Sequence, residues 1–175
     1  LVGEKHSGTA AWVLTKPVTR TAFVISRLLV NSMAILLTSV IVPGVLFYVT
    51  LGLFSDFGWL SPLGFSAALL MVALHTFYWI ALVLMMGTLS ESASVVIAVP
   101  IALFFIFWMG SSYLPQLIYV SPLLLTFSPG PGMNALFDSF LTGAPVFSWL
   151  PLILTVVFSI IFIAVAIVRF NRQEF

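Results

Sequence analysis

The chain has 175 residues, 62% of them hydrophobic and 6% charged, with a net charge of +1 and a mean hydropathy of +1.24. Soluble domains carry about 25% charged residues, so this composition excludes a water-soluble fold and specifies an integral membrane protein, all-α by the charge-free runs described below. No nucleic-acid partner is expected, because that would need a clustered basic face. The absence of cysteine excludes disulfides, thiolate metal sites and cysteine nucleophiles.

The first segment is EKHSGTAAWVLTKPVTR, Glu4 to Arg20. Ser7 or Thr9 can cap a helix start, AAWVL supplies a short helical run, and Pro17 ends or redirects it. On composition alone this is an interfacial helix with Trp12 among headgroups and Lys16 and Arg20 on lipid phosphate. No initiator Met and no signal-peptide pattern precede it, so further residues are expected before Leu1.

Beyond it, charge punctuates the chain. No charged side chain falls between Arg27 and Asp56, Asp56 and Glu91, Glu91 and Asp138, or Asp138 and Arg169. Each gap exceeds the ~20 apolar residues that a helix needs to cross ~30 Å of hydrocarbon. Only helices satisfy an isolated backbone in lipid, so four transmembrane helices are predicted, at about 22–52, 62–88, 93–112 and 147–168. The third gap is too long for one of them. Its second half, 113–146, holds Pro115, Pro122, Pro129 and Pro131 with Gly130 and Gly132, and reads as short interfacial or re-entrant helices joined by turns.

All six basic residues (Lys5, Lys16, Arg20, Arg27, Arg169, Arg172) lie toward the two chain ends. The positive-inside rule then places both ends in the cytoplasm of a multi-pass cell-membrane protein, as an even number of spans also requires. Trp59, Trp108, Tyr113 and Trp149 fall at the opposite, outer surface, where amphipathic rings favour the headgroup zone. The segment 113–146 is thereby extracytoplasmic.

In the first span Arg20, Arg27, Asn31, Ala34 and Thr38 share a helical face, and polar groups in membrane turn toward protein or water. Arg27 can snorkel to the inner surface, while Asn31 suits a bond to a neighbouring helix or a place on a pathway. His75, in the middle of the second span, has two readings: a proton or substrate contact, or a neutral imidazole bonded to a neighbouring hydroxyl or carbonyl. Ser90, Ser94, Ala98 and Ala102 recur every four residues as a stripe on which a helix can pack closely, and Pro100 is expected to kink that span. HExxH, a Ser/His/Asp set and paired intramembrane carboxylates are missing from the sequence, as is the phosphate-binding GxxxxGK[ST]. No catalytic residue, metal ligand or cofactor of its own is therefore expected.

The residue order of the first segment resembles that of permease subunits of ABC-2 type ABC transporters. Those proteins commonly carry an acidic residue, Gly-Thr, an apolar pair and a Pro-Val/Ile-Ser/Thr-Arg ending in a cytoplasmic loop. Here the matching residues are Glu4, Gly8 and Thr9, Val13 and Leu14, then Pro17, Val18, Thr19 and Arg20. GTLSESAS, Gly87 to Ser94, matches a tight cytoplasmic turn, and the proline-rich stretch precedes the last span as in the family. Further acidic residues that family members often have before Gly-Thr are replaced here by His6 and Ser7. The resemblance implies a single permease domain over 1–175, with 4–20 as a coupling segment that docks on a separate ATP-binding subunit. Trp12 and Leu14 would anchor it there. It also implies ATP and Mg in that partner, a second permease copy or homologue, and six spans in all, of which these four are the third to sixth. The other class compatible with the sequence is a non-transporting membrane scaffold, with the first helix as a surface anchor only.

Overall fold

The computed structural model describes residues 19–54, 59–114, 116–128 and 133–172. Thr19 starts the first helix, its Oγ1 accepting from the Ala22 amide at 3.2 Å. Helix α1 (Arg20–Leu36) runs into a π-helical turn (Leu37–Ile41) and then α2 (Val42–Phe54), giving one rod of 35 residues. Pro43 accounts for the wide turn. It has no amide hydrogen, and in a regular helix its ring would strike the carbonyl four residues back. The bulge spreads the backbone there, and the Val42 amide bonds to Leu37 five residues back instead. At 1.5 Å per residue the rod measures about 52 Å, so it outreaches the hydrocarbon unless tilted. It extends past both ends of the predicted 22–52.

Helix α3 (Pro62–Leu89) begins with Ser61 capping the Gly64 amide and Pro62 in the first turn, where its missing N–H costs nothing. Helix α4 (Ala93–Tyr113) follows after a three-residue turn and continues through Pro100. Two short pieces come next, α5 (Leu117–Val120) and a 3₁₀ turn (Pro122–Leu125), then α6 (Leu136–Thr142), closed by Gly143 at φ 74°. That left-handed ending needs a residue without a Cβ. Helix α7 (Leu150–Asn171) begins three residues later than predicted, because Ser148 Oγ accepts from the Leu150 amide and Pro151 belongs in a first turn.

Four of these rods are long and apolar enough to cross a membrane, so the chain is a polytopic helical membrane protein. They alternate in direction. At the basic end Phe23 stacks on Phe170 at 5.5 Å, and Val24, Leu28, Leu84 and Ala166 complete a core shared by α1, α3 and α7. Arg20 donates to the Asn171 carbonyl at 3.0 Å there. Toward the aromatic end Met71, Leu125 and Leu136 form a second core. Tyr48 donates to the Leu60 carbonyl at 3.0 Å and packs on Phe65, while Gly52 lies so close to Trp59 that a Cβ would collide with the indole.

The most extensive helix pairing is α3 with α7. Its buried positions include Ala68 and Ala81 on one side and Thr155, Ser159 and Ala166 on the other. Small side chains let backbones approach, which is how helices associate where lipid offers no hydrophobic drive. The Thr155 and Ser159 hydroxyls donate to carbonyls four residues back at 2.7 Å, so neither is left unpaired. The stripe expected at Ser90, Ser94, Ala98 and Ala102 takes no part in this pairing. Ser90 caps α3, and the other three are exposed on α4, whose one buried residue is Val96.

Candidate functional site: a groove in the basic half of the bundle

Helices α1 and α4 both lean on α3, and between them is a groove of about 600 Å³. Helix α1 contributes Leu28, Asn31 and Ile35, which share one face by their spacing of three and four. Helix α3 contributes the run from His75 and Thr76 through Trp79, Ile80 and Val83 to Gly87; Val96 and Ile97 of α4 form the far wall. Leu28 packs in one cluster with Leu84, so Asn31 stands level with the stretch between Val83 and Trp79. The two polar residues singled out in the sequence, Asn31 and His75, therefore meet in one cavity although 44 positions separate them.

His75 closes the groove at its inner end. Its Nδ1 lies 2.9 Å from the Pro122 carbonyl and its Nε2 3.1 Å from Trp79 Nε1. An indole N–H only donates, so Nε2 accepts and Nδ1 carries the proton toward Pro122. In this arrangement both imidazole nitrogens are used. His75 is thirteen residues into a helix of 28, about 20 Å from its start. The Pro122 carbonyl thus reaches the midpoint of α3, and the chain between α4 and α7 folds back into the bundle. Pro122 to Leu125 are all buried. Ser121 Oγ braces their turn by accepting from the Leu123 amide at 3.0 Å, and Ser128 Oγ ties the segment to α6 by donating to Asp138 at 2.7 Å.

The remaining candidates fall elsewhere. Arg27, one turn from Asn31, sets its guanidinium over the Phe23 ring at 5.4 Å and does not line the groove. Arg20 joins the basic end of the bundle to α7. Glu4, Gly8, Thr9, Trp12, Leu14 and Pro17 lie outside the described residues. Trp79 and Pro122 were not anticipated. Trp79 could have been found from its i, i+4 spacing to His75, whereas nothing local marks Pro122 as a partner 47 residues away. Among the described residues no three metal-binding side chains cluster. The groove is an apolar chamber with a polar seam.

Comparison with known proteins agrees with the first segment's residue order. No curated protein matches the chain, and no solved structure does. The family model described as ABC-2 family transporter protein matches residues 1–175. The match covers every element described above, and the chain belongs to the ABC-2 family of transporter proteins.

Proposed function

We propose that this chain is the membrane-spanning permease subunit of an ATP-driven transporter, with residues 4–20 coupling it to a separate ATP-binding subunit that holds ATP and Mg. The observation that carries the reading is the family match over 1–175. The Glu4, Gly8-Thr9 and Pro17-to-Arg20 pattern supports the coupling role, and the lack of GxxxxGK[ST] in these 175 residues supports hydrolysis in a partner. A second permease copy or homologue completes the transporter, both ends of this chain are cytoplasmic, and 113–146 is extracytoplasmic. The groove then belongs to the cytoplasmic half, stopped at mid-depth by the His75–Pro122 bond, and makes up part of the translocation path.

The test is to damage the coupling segment and leave the bundle alone. Trp12→Ala removes an aromatic anchor of a kind that commonly contributes ~2 kcal/mol or more to partner binding, and Gly8→Pro disturbs the backbone at the helix start. Both variants should insert and stay monodisperse in detergent. Each should recover less ATPase subunit, or hydrolyse ATP without moving cargo. Wild-type recovery and wild-type transport per ATP in both variants would reject the coupling role and leave a surface anchor.

A further inference from the structure

We propose that the first rod is hinged at its π-helical turn: α2 swings on a stationary α1 and opens the aromatic half of the bundle on its α3 side, with Tyr48 as the latch that holds it closed. The device goes beyond the transport reading and does not rest on it. Two separate observations fall at the same place, one in the backbone and one in the packing. In the backbone, the Val42 amide bonds to Leu37, five residues back, and Pro43 beside it has no amide to give. The Thr38 hydroxyl donates to the Ala34 carbonyl at 2.8 Å, a side-chain bond of the kind that bends helices. Helices are stiff through an unbroken ladder of main-chain bonds, and sharp bends collect at prolines and π turns.

In the packing, the buried residues of the rod are Phe23, Val24, Leu28 and Ser32 in α1 and Val40 in the turn, whereas α2 has none. Helix α1 packs on both α3 and α7 and walls the groove as far as Ile35. Beyond the turn that support stops, and α2 meets its neighbours at a few points. Gly44 lies so close to Leu69 that a Cβ would collide with it, which places a pivot just past the turn. Tyr48 donates to the Leu60 carbonyl at 3.0 Å and packs on Phe65 and Trp59, and Gly52 lies under the Trp59 indole. These last contacts part when α2 swings. Most of what they cover is apolar, and lipid replaces protein on apolar surface without a hydrophobic penalty. The polar bond lost is that of the Tyr48 hydroxyl. From Ile41 to Leu53 is twelve residues, about 18 Å, so a bend of about 20° moves Leu53 by about 6 Å.

The experiment uses the purified chain in lipid nanodiscs without any ATPase and measures distances between spin labels on introduced cysteines, since the sequence has none of its own. Leu53→Cys with Ile153→Cys spans the hinge; Ile25→Cys with Val168→Cys, both exposed at the basic end, is the control. The hinge pair should show a distribution wider than the control, with a second population displaced by up to about 6 Å. Tyr48→Phe keeps the ring on Phe65 and removes the bond to Leu60, and should raise that population at least threefold. A π turn holds one residue more than a regular helix over the same path, so deleting Ser39 together with Pro43→Ala should make the rod regular and leave Tyr48 and Gly52 on their partners. The hinge pair should then narrow to the width of the control, with or without Tyr48→Phe. Pro43→Ala alone restores one amide and should narrow it in part. A hinge pair as narrow as the control in both the parent and Tyr48→Phe would overturn the proposal. So would a distribution that stays broad in the deletion variant while the control distance is unchanged, because the motion would then lie elsewhere. If the deletion disturbs the control distance, Pro43→Ala decides, and an unnarrowed distribution there overturns the hinge.

Discussion

Replacing His75 by alanine should release the segment that folds back into the bundle. The imidazole bridges α3 to the Pro122 carbonyl and accepts from Trp79. Its removal leaves the indole N–H without an acceptor, at the low end of the roughly 1–3 kcal/mol for an unpaired group because Trp79 is half-buried beside an open groove and can turn. It also takes the imidazole donor from a carbonyl that keeps only the bond of its own 3₁₀ turn, a net loss of about 1 kcal/mol. The total is about 2 kcal/mol, or roughly thirtyfold in the population of the opened segment at 1.4 kcal/mol per factor of ten. The assay follows from the absence of native cysteine. Leu124, fully buried in the 3₁₀ turn, is changed to cysteine, and its modification rate is measured with and without His75→Ala in the same background. Opening should be rapid relative to modification, so the rate reports the open population. His75→Gln keeps a donor for Pro122 and an acceptor for Trp79 and should stay within a few-fold of the parent. An unchanged rate in His75→Ala would refute the latch, and a large rise in His75→Gln would mean that imidazole shape, not hydrogen bonding, holds the segment.

Single cysteines at Ser7 and Asp138 should label from opposite sides of the membrane with an impermeant reagent, given that every Lys and Arg lies toward the chain ends; labelling of both from one side would invert the orientation proposed for one of them. Ser159→Leu forces extra carbon into the tight α3–α7 contact, where Ser159 is 3% exposed. It should lower stability by about 1–3 kcal/mol, read as earlier thermal unfolding in detergent. Ala98→Leu, on the exposed face of α4, should leave that unfolding unchanged in the isolated chain.

The transmembrane helices were legible because charge is so sparse that its few positions mark the ends of the spans. The π turn was not, although Pro43 was in plain view: whether a proline breaks a helix, kinks it or is absorbed by a wider turn depends on the neighbours that hold the rod straight. The regular stripe on α4 is exposed in this chain, open to a helix of another chain, while small residues on α7 are buried within the bundle. Thr155, Ser159 and Ala166 are separated by four and seven positions on α7, a helical spacing as regular as the one chosen. Spacing identifies a face, but which face meets a neighbour is decided by the whole bundle. Asn31 and His75 could each be picked out as polar groups in membrane. Their meeting in one groove, and the Pro122 partner of His75, are tertiary facts with no local trace.

The central claim is that this chain works with a separate ATPase, and affinity capture tests it most directly. The protein is solubilised from native membranes in mild detergent, captured by a tag at its C-terminal end, and its companions are identified and quantified. The account expects a soluble subunit carrying GxxxxGK[ST] in near-stoichiometric amount, reduced when Trp12 is replaced by alanine. Capture of an intact, monodisperse permease with no such subunit at any detergent strength that preserves the bundle would contradict it.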